Sequence, residues 1–262
     1  MTVDYGLLMK HFPNLFTLLN LIAGCIAVIF ILQTGQTIAY IDQEGFTQVD
    51  LPEKITWGAI FIFAAAIVDF LDGFVARLFK ATSPMGKQLD SLADVVSFGV
   101  APGLILYQLL RISFAQEENG LDVSLVLLLP ALLIPCAAAW RLAKFNIDEE
   151  QQYSFKGLPT PAAGLMVASL PLIIWFQTLG IQAYLINKWI LYIIIVLLSF
   201  LMVSNLPLMG LKFKDFSLKN NLPKYILAGI AIIAAVFLQW LAVPAVLVAY
   251  VILSLAFKNK ST

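Results

Sequence analysis

The stretch DFLDGFVARLFKATSPMGKQLDSLAD, residues 69–94, places four aspartates where two apolar segments meet a short polar link. Asp69 and Asp72 end the first segment, and Asp90 and Asp94 begin the second. At about 100° per residue, each pair falls on one face of its own helix, beside small residues. The pattern therefore predicts two helices that each present a pair of carboxylates next to open space.

The link between the two helices contains Pro84 and Gly86, which favour a turn. The helices should then run antiparallel with their acidic ends together, and we expect the four carboxylates to converge. Close anions repel one another unless cations bind between them. A donor set of oxygen atoms, without histidine or cysteine nearby, favours Mg²⁺ or Mn²⁺ and leaves Ca²⁺ as an alternative.

The composition places this site in a membrane. Of 262 residues, 61% are hydrophobic and 12% are charged, whereas soluble domains carry about 25% charged residues. We expect an all-α integral membrane protein, a polytopic bundle of about eight transmembrane helices. The predicted spans are 15–32, 57–79, 92–110, 123–142, 162–179, 189–207, 225–241 and 243–257.

The distribution of basic residues predicts the orientation. With eight spans, all of the 16 lysines and arginines except Lys54, Arg111 and Lys188 fall on one side. By the positive-inside rule, this side, with both termini and the aspartates, is cytoplasmic. We expect the protein in the cytoplasmic (inner) membrane, surrounded by lipid. The formal net charge is zero, so no nucleic-acid polymer is implied as a partner.

Three further features bound the organisation of the chain. The first fourteen residues lack the features of a cleaved signal peptide, so the first span is expected to be retained. Cys25 and Cys136 lie inside apolar spans and are interpreted as small hydrophobic residues. Residues 225–257 are too long for one upright helix, and Gln239 and Pro244 favour a hairpin there.

The spacing of the small and acidic residues resembles a known signature, that of the CDP-alcohol phosphatidyltransferases. The motif is Asp69-x2-Asp72-Gly73-x2-Ala76-Arg77-x8-Gly86-x3-Asp90-x3-Asp94. The stretches LDSLADVVSFGVAP (89–102), WRLAKFN (140–146) and FKGLPTPAA (155–163) resemble the branch of the family that uses L-serine. The resemblance covers residues 10–205, so we expect one membrane domain over 1–262, with a six-helix family core and an additional hairpin at 225–257.

The resemblance implies a reaction and roles for the motif residues. CDP-diacylglycerol and L-serine would give a phosphodiester lipid and CMP, and the enzyme would be a homodimer. Asp69, Asp72 and Asp90 would hold two metal ions, with Asp90 bridging them, and Asp94 beside the metals would be the general base. The nucleotide would contact seven residues: Asn14, Thr17, Asp69, Gly73, Ala76, Arg77 and Gly86.

Some of these residues have alternative interpretations. Small residues such as Gly73 and Ala76 also serve helix packing. Asn14 is also a candidate for a helix N-terminal cap.

The acceptor needs a cation for its carboxylate, in a site already rich in negative charge. Arg141 is the first candidate, because a guanidinium pairs with a carboxylate at two points, and Lys144 is the second. Both are also explained as ordinary cytoplasmic basic residues. Ser97 and Asn146 are expected to complete the polar lining of the serine pocket.

Two other functions remain open at this point. The same chemistry with glycerol 3-phosphate, inositol phosphate or choline is the first. Asn20, at a position where relatives that use phosphorylated acceptors usually have arginine, argues against a phosphorylated acceptor. A divalent-cation transporter is the second, but it predicts carboxylates spread through the depth of the membrane.

Overall fold

The computed structural model describes residues 5–33, 39–41, 47–49, 53–78, 83–117, 122–147, 155–210 and 217–257. Ten α-helices lie in this part of the chain. They are α1 Tyr5–Leu32, α2 Glu53–Leu78, α3 Pro84–Asp94, α4 Ala101–Ala115, α5 Leu133–Ile147, α6 Thr160–Trp175, α7 Gln182–Leu185, α8 Lys188–Val203, α9 Leu218–Leu238 and α10 Ala242–Ala256.

The predicted all-α membrane class is confirmed. Four helical segments are long and apolar enough to cross a bilayer, namely Asn14–Leu32, Lys54–Val75, Pro84–Ala115 and Asn221–Ala256. α6 and α8 are shorter apolar helices. The predicted span 123–142 is wrong in its bounds, because residues 125–132 form 3₁₀ turns around Pro130 and α5 continues to Ile147. The number of eight spans stays a prediction.

α1 and α2 pack along each other and set the first wall of the site. Small buried residues, Ala27 on α1 and Gly58 and Ala59 on α2, lie where the two helices meet. A Cβ atom on Gly58 would lie 3.1 Å from the carbonyl oxygen of Ala27. This close packing brings the middle of α1 beside the acidic end of α2.

The predicted span 92–110 contains a π-helix, which the sequence analysis did not anticipate. Residues Val95–Val100 connect α3 to α4, and the Ala101 N–H donates to the carbonyl of Val96, five residues earlier. The physical reason is Pro102, whose ring would clash with the carbonyl of Phe98 in a regular α-helix. A wider turn relieves that clash, and π-helical turns are frequent at functional sites.

The π-helix is the point where three other helices meet. Ser97 packs on Gly24 of α1, Phe98 on Gly164 of α6, and Gly99 on Ala138 of α5. All three of its central residues are buried. Glycine at positions 24 and 164 lets the neighbouring helices approach the backbone just after Asp94.

We expect Gly24→Ala to destabilise the fold by about 1–3 kcal/mol, the usual cost of overpacking. The added Cβ would lie 2.9 Å from the Ser97 Cα, which is backbone and cannot rotate away. Thermal unfolding of the purified protein in detergent measures the change. Gly229→Ala is the control, because its Cβ would meet nothing within 4 Å. Equal unfolding temperatures for the two variants would contradict the packing described.

The structure also contains two short strand pairs. Three of the four strands lie between predicted spans, and the fourth, Pro207–Leu208, begins at the last residue of the predicted span 189–207. β1 (Ala39–Ile41) pairs with β2 (Thr47–Val49), and β3 (Phe155–Lys156) pairs with β4 (Pro207–Leu208), both antiparallel. After β3, Gly157 adopts a positive φ of 77°, and a Cβ there would lie 2.7 Å from the Met202 carbonyl. Only glycine fits this turn, which ties the start of α6 to the end of α8.

The C-terminal segment breaks at Gln239, which has φ 49° and ψ −125°. A 3₁₀ turn, Gln239–Leu241, follows, and α10 then packs against α9 and α6. Pro244 lies in the first turn of α10, where its missing N–H costs little. The chain thus turns where Gln239 and Pro244 indicated, although the division into core and hairpin stays a prediction.

Candidate active site

Three aspartates from two elements form one cluster. Asp69 near the end of α2, and Asp90 and Asp94 on α3, each offer a carboxylate oxygen, and these atoms all lie within 4.8 Å of one another. Asp94 is 6% exposed, so its carboxylate is almost enclosed by protein. The spacing of three and four residues along the helices brings these groups to one end of α2 and α3, as the sequence predicted.

Asp72 lies outside this group, which corrects the prediction that four carboxylates converge. It accepts a hydrogen bond at Oδ2 from the Thr17 hydroxyl on α1, and both side chains are buried. Residues three apart on a helix diverge by about 60°, so Asp69 faces α3 while Asp72 faces α1. Asp72 still lies close enough for its charge to act on Asp69 and Asp90.

The structure adds Asn20 to the site. Its side chain is fully buried on α1, and its Nδ2 donates to Asp94 Oδ1 at 3.2 Å. The Asn20 carbonyl accepts a hydrogen bond of 3.0 Å from the Ser97 hydroxyl. α1 therefore holds the chain at Asp94 and again at Ser97. From the sequence, Asn20 was interpreted only as an indicator of the acceptor type. An amide inside an apolar span is costly without a partner, and this could have indicated the contact.

Asn14 and Gly86 meet at the start of α3. Ser83 caps this helix by accepting a 2.9 Å hydrogen bond from the Gly86 N–H, and a Cβ on Gly86 would lie 3.1 Å from Asn14 Oδ1. α1 begins at Tyr5, so Asn14 lies inside that helix, and the alternative interpretation as its N-terminal cap is wrong. The side chains of Ala76 and Arg77 lie outside the described residues.

Gly73 faces open space. It is exposed, and a Cβ added there would meet nothing within 4 Å. The alternative interpretation, that Gly73 is small so that a neighbouring helix can pack on it, therefore has no support among the described residues.

Arg141 approaches the cluster from α5. Arg141 is 8% exposed, and its Nη1 donates to the Thr160 hydroxyl at 3.0 Å, at the start of α6. Its positive charge acts on the Asp94 carboxylate. The Nε atom is buried without a hydrogen-bond partner among the described residues. Arg141 thus keeps one buried donor that no described protein group uses.

The other three residues predicted for the serine pocket are occupied by protein contacts. Ser97 is fully buried against α1. Lys144 Nζ donates to the Asn205 side chain beyond α8, and Asn146 Nδ2 donates to the Ser91 hydroxyl at 2.9 Å. Lys144 and Asn146 therefore tie α5 to neighbouring elements in this structure, and their contact with serine stays a prediction.

The donor set fits hard divalent cations. The carboxylate oxygens of Asp69 and Asp90 lie within 4.8 Å of each other, and two carboxylates so close repel each other unless a proton or a cation binds between them. The cluster offers carboxylate oxygens alone, which suit Mg²⁺, Mn²⁺ or Ca²⁺. Such a site, at the ends of membrane helices, can neutralise a phosphate group beside a buried carboxylate.

Comparison with known proteins agrees with this chemistry. The family model described as CDP-alcohol phosphatidyltransferase matches residues 10–251, a range that includes the motif and most of α9 and α10. The match therefore extends beyond residue 205, where the sequence resemblance was placed to end.

Curated proteins named CDP-diacylglycerol–serine O-phosphatidyltransferase are similar to the chain. The protein from Bacillus subtilis is 29% identical, over 69% of this chain and 89% of its own length. The protein from Helicobacter pylori is 34% identical, over 79% and 76%. The protein from Mycobacterium bovis is 31% identical, over 94% and 77%.

Proposed function

Because the chain belongs to the CDP-alcohol phosphatidyltransferase family, we propose that it transfers the phosphatidyl group of CDP-diacylglycerol to the hydroxyl of L-serine, giving phosphatidylserine and CMP. The observation that carries the proposal is the cluster of Asp69, Asp90 and Asp94, formed by motif residues at one end of membrane helices. The names of three relatives, each similar over more than two thirds of this chain, support serine as the acceptor.

Divalent ions, two Mg²⁺ or Mn²⁺, are part of the proposal. Asp69, Asp72 and Asp90 would hold them, with Asp90 between the two and Asp94 beside them. The Thr17 hydroxyl on Asp72 orients that carboxylate, as hydrogen bonds to metal ligands commonly do. Bound ions supply positive charge at the phosphate of the departing CMP.

Asp94 is proposed to act as the general base. Asn20 holds Oδ1, so Oδ2 is the oxygen left to take the proton of the serine hydroxyl. The serine oxygen then forms a bond to the phosphatidyl phosphorus, and the bond from that phosphorus to the bridging diphosphate oxygen breaks. CMP leaves with the electron pair of the broken bond.

The nucleotide would lie between α1, the end of α2 and the start of α3. Gly73 borders open space, which leaves room for the nucleotide near the backbone, and Asn14 approaches Gly86 closely at the other end of this region. Thr17 and Asp69 complete this side, and Ala76 and Arg77 are proposed as contacts from their place in the motif.

The serine carboxylate is proposed to pair with Arg141. The guanidinium is the positive charge that acts on the Asp94 carboxylate, and its buried Nε–H has no partner among the described residues. An acceptor held here would bring its carboxylate to the cation while its hydroxyl faces the base. The polar lining of this pocket would be completed by Lys144, Asn146 and Ser97.

Arg141→Ala is expected to raise the KM for serine. The apparent binding free energy of serine should weaken by on the order of 2–5 kcal/mol if the ion pair is well desolvated. Arg141→Lys keeps the charge but loses the planar fork, so it should have a smaller effect in the same direction. Steady-state CMP release at varied serine and varied CDP-diacylglycerol measures both constants.

Serinol, which lacks the carboxylate, is the control substrate for this prediction. Its weak residual use should be nearly indifferent to Arg141→Ala. If the substitution instead weakens CDP-diacylglycerol and leaves the serine constant unchanged, Arg141 belongs to the lipid phosphate site.

The proposed location is the cytoplasmic membrane, with the site and both termini on the cytoplasmic side. The bias of lysine and arginine supports this orientation. It places the cluster where a charged nucleotide can reach it from water while the acyl chains of the lipid stay in the leaflet. A homodimer is proposed from the family resemblance.

The test of the acceptor is a panel of alcohols. Purified protein receives CDP-diacylglycerol, Mg²⁺ or Mn²⁺, and serine, glycerol 3-phosphate, inositol phosphate or choline, with CMP release as the readout. We expect serine to give the highest kcat/KM. A higher value for a phosphorylated alcohol or choline would support phosphatidyl transfer but contradict serine as the acceptor. Transport of divalent ions into vesicles without CMP release would contradict the proposal that the protein is an enzyme.

A further inference from the structure

We propose that Tyr250 and Ser254 of α10 are positioning residues for Arg141, acting through the strand pair β3–β4. This inference rests on the proposed function, because Arg141 is taken as the residue that holds the acceptor. It assigns a role in substrate selection to the C-terminal helix, which contributes no residue to the carboxylate cluster.

The polar residues of α10 are few and converge on one place. The helix AVPAVLVAYVILSLA contains two polar side chains, Tyr250 and Ser254, four residues apart on one face. They are 6% and 4% exposed. Buried polar groups in an apolar membrane helix are costly unless they are paired, so their partners indicate what this helix does.

Both partners are the backbone of Met209, directly after β4. The Tyr250 hydroxyl donates to the Met209 carbonyl at 2.9 Å, and the Met209 N–H donates to the Ser254 hydroxyl at 3.1 Å. The Ser254 hydroxyl itself donates to the Tyr250 carbonyl at 2.7 Å. Two side chains of α10 therefore take the place that a neighbouring strand would occupy beside Met209.

The strand pair β3–β4 connects Met209 to the residue that Arg141 contacts. β4 pairs with β3, and the next residue, Gly157, donates its N–H to the Leu206 carbonyl at 2.9 Å. The Leu158 N–H donates to the Leu201 carbonyl at 2.9 Å. Thr160 follows at the start of α6 and accepts the hydrogen bond of Arg141.

α10 also packs against α6, the helix that begins at Thr160. The anchored strand pair thus fixes Thr160, whose hydroxyl accepts the hydrogen bond of Arg141. Loss of the hydrogen bonds between α10 and Met209 should therefore let the Arg141 guanidinium shift, while the guanidinium itself remains present.

Tyr250→Phe and Ser254→Ala test the inference. Each removes one hydroxyl, and we expect each to raise the KM for serine about two- to tenfold, the factor that one hydrogen bond gives. The KM for CDP-diacylglycerol and the unfolding temperature should stay close to those of the parent protein. Ser254→Thr, which keeps the hydroxyl, should restore the serine constant.

Tyr192→Phe is the matched control. Tyr192 on α8 also donates its hydroxyl to a backbone carbonyl, that of Leu127, at 2.7 Å, but among the described contacts it has no link to Arg141. Its substitution should leave both Michaelis constants unchanged. An equal rise for Tyr192→Phe and Tyr250→Phe would overturn the inference, because the effect would then be general.

A double-mutant cycle separates this inference from the proposed role of Arg141. In the Arg141→Lys background, Tyr250→Phe should have little further effect if it acts through the guanidinium. Full additivity would overturn the inference. The two substitutions can instead both raise the KM for CDP-diacylglycerol, with non-additive effects. In that case Tyr250 still positions Arg141, but the proposal that Arg141 binds serine is contradicted.

Discussion

Exhaustive chelation with EDTA is expected to abolish CMP release by the purified protein, and Mg²⁺ or Mn²⁺ is expected to restore it. The reason is the cluster of Asp69, Asp90 and Asp94, whose oxygens lie within 4.8 Å of one another and whose mutual repulsion a bound cation would offset. Zn²⁺ should serve poorly, because it prefers nitrogen and sulfur ligands in tetrahedral sites. CMP release before and after readdition of each ion is the measurement.

A binding measurement separates the metal from the chemistry. Mn²⁺ titration followed by electron paramagnetic resonance should show ions bound to the protein, and Asp69→Asn or Asp90→Asn should weaken them. Glu117→Gln is the matched control, because it removes a carboxylate that pairs with Lys188 at the far end of α4. Full activity after complete chelation would contradict the site as described.

The meeting of Asp69, Asp90 and Asp94 could be predicted from the sequence, since it depends on local rules. Spacings of three and four residues place side chains on one face of a helix, and Pro84 with Gly86 marks the turn between the two helices. The direction of Asp72 could not be predicted in this way. It depends on where α1 packs and on the Thr17 hydroxyl that faces it.

The π-helix and the strand pair β3–β4 were missed for a related reason. Pro102 in an apolar run indicates that a regular α-helix is interrupted there. A kink, a helix end and a π turn can each accommodate the proline ring. The outcome depends on Gly24, Gly164 and Ala138, which lie on other helices. The bond from Asn20 to Asp94 likewise joins residues 74 positions apart, and one sequence alone does not show such pairs.

Asp94→Asn is expected to lower kcat by about 10²–10⁴-fold, the usual contribution of a general base. The new amide oxygen can still accept the hydrogen bond from Asn20, so the local structure should persist. Bound Mn²⁺ and the affinity for CDP-diacylglycerol should therefore change little, while the serine hydroxyl loses the group that takes its proton. Single-turnover CMP release, together with Mn²⁺ titration, measures both properties on one preparation.

Asp90→Asn is the comparison that makes this prediction specific. If Asp90 holds both ions, its substitution should weaken Mn²⁺ binding and turnover together, and excess metal should recover part of the rate. Excess metal should recover none of the rate for Asp94→Asn, because the missing group there is the base. Loss of Mn²⁺ binding in Asp94→Asn would contradict this division, place Asp94 among the metal ligands and leave the proton to another acceptor.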